Sequence, residues 1–476
     1  MHRRGMRRIV PSAMVLGALV ATPLAADAAP GRPGEPRYTE GAAGAGDPYL
    51  PLAGNGGIDV EHYDLDLTYT NPAADGPLEG ELEGVATLTL TATKDLDSFN
   101  LDLRGLEASS VTVAGKRARF QTEGDNELVI SPRPKLKKGR TVDVVVTYGG
   151  TTGRPTDLEG ALYGWVTTRD GAMVVSQPDG SATWFPVSDH PTDKASYSFE
   201  ITVPEGLVAV ANGTLEGSET RRGRTTWTWD APDPMAAYLA TASVGDFELS
   251  TSTTPSGVPI IDAVDADLPP SASADLALTG EMMTFYEGLF GDYPFVAYGA
   301  IVDDDSVGYA LETQTRSFFS RAARESTVAH ELVHQWIGDD VSVYRWADIW
   351  HNEGWATYGS WLWTEEQGGR TAQERFESVM AIPADDSFWA LEIGDPGPLN
   401  LFHPAIYSRS AAMLHALRAE IGEDAFWALT RTVVDDYAGS SISTAEYEAL
   451  AAQVSGQDLD TFFEVWLHTP EKPTDW

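Results

Sequence analysis

Residues 330–334 read His-Glu-Leu-Val-His, and no other stretch of the chain constrains its fold so tightly. Histidines four apart lie on one face of an α-helix with their rings a turn apart, so both imidazoles can reach a single metal ion. Glu331 lies between them, placed to act as general base on a water. At the chain's own His and Glu frequencies such a string arises by chance about once in a hundred chains. Two ordinary helix histidines therefore stay open as the alternative until a third donor is found. The chain has no cysteine, which excludes disulfides, thiolate zinc sites, iron–sulfur clusters and cysteine nucleophiles. A zinc ion here must use imidazole nitrogen and carboxylate oxygen. Glu353, at the start of a second helical pattern, offers the carboxylate 19 residues beyond His334. The intervening IGDDVSVYRWADIWHN is long enough to fold that helix back antiparallel to the first, which brings a third ligand beside the pair. The expectation is one zinc per chain.

The rest of the chain must supply a scaffold for two such helices. At 476 residues it is long for a single core, so two domains are expected. From about 58 to 250 the pattern is strand after strand: HYDLDLTY (62–69), GVATLTLTA (84–92), FNLDLRGL (99–106), VDVVVTY (142–148), SYSFEITVP (196–204) and RTTWTWD (224–230), separated by Gly, Pro and Asn. Near 270 the character changes. Residues 273–291 have helical apolar spacing and end at Gly291, with Pro294 just beyond. Helical patterns recur at 321–337, 352–368, 408–421, 423–436 and 444–454, with short strands around 297–319. The fold class expected is α+β in two domains: an all-β domain over 47–250 and a mainly helical one over 251–473. No internal repeat is present at solenoid periods.

The segment HELVHQWIGDDVSVYRWADIWHNEGWATYGSWLW resembles the aminopeptidase N family of gluzincin zinc metallopeptidases. In that family HExxH is followed after eighteen residues by a Glu inside W-x-D-x-W-x-N-E-G. Trp346, Asp348, Trp350, Asn352, Glu353 and Gly354 all match. DPMAAYLATASVGDFE (233–248), FYEGLFGDYPF (285–295) and VSGQDLDTFFEVWLHTPEKP (454–473) extend the likeness over roughly 55–473. The resemblance implies a saddle-like N-terminal β domain and a thermolysin-like catalytic domain. It implies metal ligands His330, His334 and Glu353, with Glu331 as base. The chain is similar to a short secreted bacterial form without the large helical C-terminal domain of many relatives, so an open cleft is expected.

The same resemblance assigns further residues. The family's Gly-Ala-Met-Glu-Asn strand, whose Glu binds the substrate's α-amine, corresponds to Tyr309-Ala310-Leu311-Glu312-Thr313. Ala310 and Glu312 are kept, Gly308 sits one residue early, and Thr replaces Asn. Gln177-Pro178-Asp179 looks like the family's other amine-binding segment, with Gln177 as hydrogen-bond donor and Asp179 as a second negative charge; it is also a plain turn sequence. Tyr407 corresponds to the tyrosine that stabilises the tetrahedral oxyanion, although Arg409 and Ser410 replace the usual Lys-Gly. Together these imply a zinc aminopeptidase acting on peptides with a free N-terminus. The rival is a zinc endopeptidase with an open cleft, which needs Glu312 and Asp179 to be misplaced.

Arg3, Arg4, Arg7 and Arg8, an apolar stretch from Ile9 to Leu24, and Ala26-Asp27-Ala28 read as a secretory signal over 1–28. The Gly/Pro/Ala-rich residues 29–46 read as a flexible leader. The protein is expected outside the cell, as a monomer with no membrane span once the signal is cleaved. A formal net charge of −39 argues against nucleic acid as a partner.

Overall fold

The computed structural model describes residues 38–474; the signal segment expected at 1–28 and the leader up to residue 37 lie outside them. The last part of the expected leader is tied down. Thr39–Glu40 pairs in parallel with the strand Leu96–Asp102. Asp47 is buried, and its carboxylate accepts from the backbone N–H groups of Leu50 and, at 2.8 Å, of Tyr49 and Trp346. A short polar side chain that caps three backbone donors holds a Gly-rich segment that composition alone reads as loose.

The N-terminal half is built on an eight-stranded sheet. At its centre Ile58–Thr70 pairs antiparallel with Gly80–Ala92 and parallel with Lys194–Pro204. These strands bury alternate residues, so one face packs on the core while the other meets water. A second sheet joins Gly164–Thr167, Ala172–Val175, Ala242–Gly245 and Val208–Ala211. It is buried on both faces, and its strands show no alternation for a sequence pattern to catch.

Between the β half and the helices lies a five-stranded sheet. Its order is Phe247–Thr253, Pro259–Asp265, Ala300–Asp303, Ser317–Ser320 and the edge strand Ala310–Leu311. The boundary expected at 250 falls inside the first of these strands. Seven helices of nine or more residues follow among the described residues: α1 (Thr279–Phe290), α2 (Glu325–His334), α3 (Trp350–Glu366), α4 (Ala372–Met380), α5 (Pro404–Ile421), α6 (Glu423–Asp436) and α7 (Thr444–Ser455). As the sequence pattern requires, α1 stops at Gly291, whose φ is 108°.

The central helix is α3, which packs on both α2 and α5. Two glycines allow this approach. A β-carbon at Gly359 would stand 2.4 Å from Val333 of α2, and one at Gly354 would stand 2.6 Å from the β-carbon of Ser410 on α5. The Trp-x-Asp-x-Trp run fixes the start of α3. Thr444 donates to Asp348 at 2.6 Å and accepts from the Trp350 indole at 2.8 Å, which pins the turn to the N-terminus of α7. Among the described residues no helix is long and apolar enough to cross a membrane.

Candidate metal centre and active-site cleft

Because α2 and α3 lie so close, three donor atoms from separate turns converge. His330 Nε2 stands 3.2 Å from His334 Nε2 and 3.2 Å from Glu353 Oε2, and His334 Nε2 stands 3.6 Å from the same oxygen. Donors about 2.0–2.2 Å from a tetrahedral ion stand roughly 3.3–3.6 Å from one another. The triangle therefore has the edge lengths of a zinc site. His334 Nδ1 lies 3.3 Å from the carbonyl of Ile337, which fixes the ring with its Nε2 lone pair free for a metal. Gly338, at φ 136°, lets the backbone pass behind this ring, where a β-carbon would stand 2.8 Å from Nδ1.

Electrostatics favour positive charge at this point. Burial raises the Glu353 carboxyl, but His334 and the hydrogen bonds from both imidazoles outweigh it and hold the group at about 2. Burial opposes a charged His334, yet Glu312, Glu353 and Glu331 together pull it up to about 10. Burial pushes the carboxyl of Glu331 well above its ordinary range, against the pull of His334. The Tyr407 phenol is also raised well above its ordinary value, first by burial and then by Glu353; it stays protonated and can donate. Its ring lies 6.1 Å from that of His330.

Glu312 is buried at the end of the edge strand Ala310–Leu311. One carboxylate oxygen accepts from Gln177 Nε2 at 2.9 Å. Ligand atoms of Glu312, Glu331 and His334 all lie within 4.8 Å of one another. Gln177, Ala310, Glu312, Glu331 and Tyr407 open with the three donors onto one cavity of about 550 Å³.

Asp179 does not. Its carboxylate lies 3.4 Å from the Arg104 guanidinium, which also takes the Asp179 carbonyl at 2.6 Å. The arginine binds both the carboxylate and the carbonyl of the residue, and Asp179 is not among the side chains that line the cavity. Asp157 and Glu159 line the cavity instead.

Two models cover most of the chain: the peptidase M1 N-terminal domain over residues 59–239 and the peptidase family M1 domain over residues 300–466. This chain belongs to peptidase family M1. Its family is shared by the aminopeptidase N of Lactococcus lactis subsp. lactis, 25% identical over 79% of this chain and 48% of that one. The glutamyl aminopeptidase of Rattus norvegicus is 24% identical over 86% of this chain and 47% of that one. The chain thus spans about half the length of the curated relatives it matches. A mutant of an M1 zinc metallopeptidase from Deinococcus radiodurans, solved bound to a Tyr-Ser-Ala substrate, superposes with a TM-score of 0.82. It is 29% identical and covered over 98% of its length, against 91% of this chain. A two-domain M1 zinc metallopeptidase bound to L-tryptophan superposes as well. The M1 family places one zinc ion in the catalytic site, and the donor triangle fits it.

The structure adds contacts that motif reading does not supply. Gln335, the residue after His334, ties α2 to the segment that follows the edge strand Ala310–Leu311. Its amide donates to the Glu312 carbonyl at 3.1 Å and accepts from the Thr315 N–H at 2.8 Å. Tyr238, from the β half, donates to the Gly338 carbonyl at 3.4 Å and acts on the Glu312 carboxylate. Arg409, in place of the usual lysine, is buried and donates to the carbonyls of Leu391 at 2.9 Å and Thr469 at 2.7 Å. It holds α5, and with it Tyr407, against the C-terminal segment.

Proposed function

We propose that this chain is an exported, zinc-dependent aminopeptidase that removes residues from the free N-termini of peptides. The observation that carries this reading is the place of Glu312. A buried carboxylate outside the ligand triangle lies within 4.8 Å of Glu331 and His334. One residue of extended chain spans roughly 3.5 Å. An α-ammonium on Glu312 therefore leaves the first peptide carbonyl beside the donor triangle.

His330, His334 and Glu353 would hold the zinc. Lewis acidity, which acidifies a water and polarises a carbonyl, is what such an ion supplies. Glu331 takes the proton of the attacking water and passes it to the leaving amine. Tyr407 donates its phenolic hydrogen to the oxygen on which negative charge develops. Glu312, oriented by Gln177 and Gln335, binds the ammonium; an acylated terminus would leave its carboxylate buried and unpaired.

The test is turnover of matched aminoacyl chromogenic amides, free and N-acetylated, with and without a chelator. Cleavage of the free series alone, abolished by the chelator and restored by zinc, is expected. Equal cleavage of both series would replace this reading with the open-cleft endopeptidase. Export rests on the pattern in residues 1–28, and N-terminal sequencing of protein from the culture medium should find the mature chain starting near residue 29.

A further inference from the structure

We propose that Arg375 makes this site selective for short peptides by binding a carboxylate on the leaving side of the scissile bond. The inference rests on the aminopeptidase reading above and names the substrate class within it. Charge around the cavity is lopsided. Five carboxylates line it, those of Asp157, Glu159, Glu312, Glu331 and Glu353, and Arg375 is the one Lys or Arg among the lining residues. In a chain with 71 acidic and 32 basic residues, a guanidinium in a cleft has ample opportunity for an acidic partner. Among the described residues Arg375 has none: the charge that acts on it is another cation, Arg370. Its Nε is buried without a hydrogen-bond partner, and the one hydrogen bond its side chain makes among the described residues runs 3.4 Å from Nη2 to Thr364 Oγ1.

A guanidinium presents a planar fork that matches a carboxylate, and a buried N–H without a partner is costly until one arrives. The geometry sets which carboxylate. Ser360, also at the cavity wall, lies seven residues beyond Glu353 on α3, and Thr364 lies eleven beyond. At 1.5 Å per residue these are about 10 and 16 Å along the helix from the metal ligand. An extended peptide covers roughly 3.3–3.6 Å per residue. With its ammonium on Glu312 and its first carbonyl at the donor triangle, a substrate whose leaving part is two to four residues long brings its terminal carboxylate to Arg375. The cavity then matches the charge pattern of a zwitterionic oligopeptide, acidic at the amine end and basic at the carboxyl end. A carboxylate on a side chain at the same distance offers the same chemistry.

The test compares Leu-(Gly)n for n from 1 to 5, each as free acid and as C-terminal amide, in wild type and Arg375→Gln. For n of 2 to 4 the free acid should be preferred over the amide about tenfold in kcat/KM, as a charge-assisted pair at a half-buried site provides. Arg375→Gln should bring the ratio near one. Because the ratio is internal to each protein, a partly misfolded variant lowers both arms and leaves it readable. Leu-Gly-Asp-amide against Leu-Gly-Gly-amide asks whether a side-chain carboxylate serves equally. Calorimetric binding of the same acids and amides to zinc-loaded Glu331→Gln, with and without Arg375→Gln, reads the contact without turnover. If acids and amides bind and react alike in wild type, the proposal falls while the aminopeptidase reading stands. If nothing is cleaved but the acid still binds more tightly in an Arg375-dependent way, the aminopeptidase reading falls and the carboxylate site stands.

Discussion

Around His330 and His334 each polar side chain has a distinct charge state, and that separates roles which position alone would blur. Glu353 is held ionised at about 2, as the ligand role proposed for it requires. Tyr407 is kept protonated, as the oxyanion-donor role proposed for it requires. Glu331 belongs to neither set, being raised by burial and close to both Glu312 and Glu353. Glu331→Gln should therefore keep its zinc by elemental analysis and lose roughly 10²–10⁴ in kcat. Tyr407→Phe should also keep its zinc and lose roughly 10²-fold, whereas Glu353→Gln should lose metal first. Near-normal turnover in zinc-replete Glu331→Gln would place the base elsewhere. At this scale the two histidines were readable because i and i+4 force two side chains onto one helix face. The fate of Asp179 was not. What decides it is Arg104, 75 residues away in the chain, and a local motif carries no record of a partner at that distance.

Among the secondary elements, those with a long amphipathic period were legible and the others were not. The strands Ile58–Thr70 and Lys194–Pro204 alternate and were expected. The buried strands Gly164–Thr167 and Ala172–Val175, four residues each with no polar face, were not. Helix α4 was missed although Thr371 and Glu374 form a capping box at its start and Ala372, Phe376, Val379 and Met380 keep helical spacing; it is only nine residues long. The glycines of α3 show what a motif letter does physically. Gly359→Ala would force its β-carbon to within 2.4 Å of Val333 and push α2, with both histidine ligands, away from Glu353. A loss of about 1–3 kcal/mol in stability is expected, together with weaker zinc retention under chelator challenge. A Gly359→Ala protein with wild-type melting and zinc affinity would show that the helices separate freely. The C-terminal segment offers a pH test. His468 Nε2 donates to the Glu448 carboxylate on α7 at 2.8 Å, and that hydrogen bond is the main reason its folded pKa is raised. A raised folded pKa means the pair stabilises fully below the unfolded value of about 6.5, and the contribution fades as pH climbs through the higher folded value. Glu448→Gln should thus lower thermal stability at pH 5.5 by on the order of 0.5 kcal/mol, since the pair is partly exposed, and change little at pH 8.5. An equal loss at both values would mean that packing, not charge, carries the contact.

Across the whole molecule, the segment that carries Glu312 belongs to the helical half in sequence but is clasped by the β half. Arg316, four residues beyond Glu312, is fully buried. It donates to Gly213 at 2.7 Å and Ala211 at 3.3 Å in the β half, to Ile261 in the five-stranded sheet, and at 3.2 Å to Tyr298, which precedes the strand Ala300–Asp303. Its guanidinium carbon lies 5.3 Å from the Trp229 ring. Asn212 donates to the Gln314 carbonyl at 2.6 Å, and Gly213 donates to Thr315 Oγ1 at 2.7 Å. Gln335 then joins this segment to α2. A continuous chain of hydrogen bonds thus runs from the β half to the metal-binding helix, and it predicts that the two halves share one opening equilibrium. An ion that binds only the folded state adds RT ln(1 + [L]/Kd) to the stability of whatever unfolds with its site. Zinc held by α2 and α3 should therefore slow amide exchange in Lys194–Pro204 and Arg224–Ala236, strands that do not touch it, as well as in α3. Arg316→Met removes the donors to four carbonyls, at a cost of about 1–3 kcal/mol for each one left buried without a partner. In that variant zinc should still protect α3 but should no longer protect the two β strands. Hydrogen-exchange mass spectrometry with and without zinc reads both regions in one experiment. If the β strands of the wild type exchange at the same rate in either condition, the halves open independently and the clasp at Arg316 holds Glu312 in place without coupling the two domains.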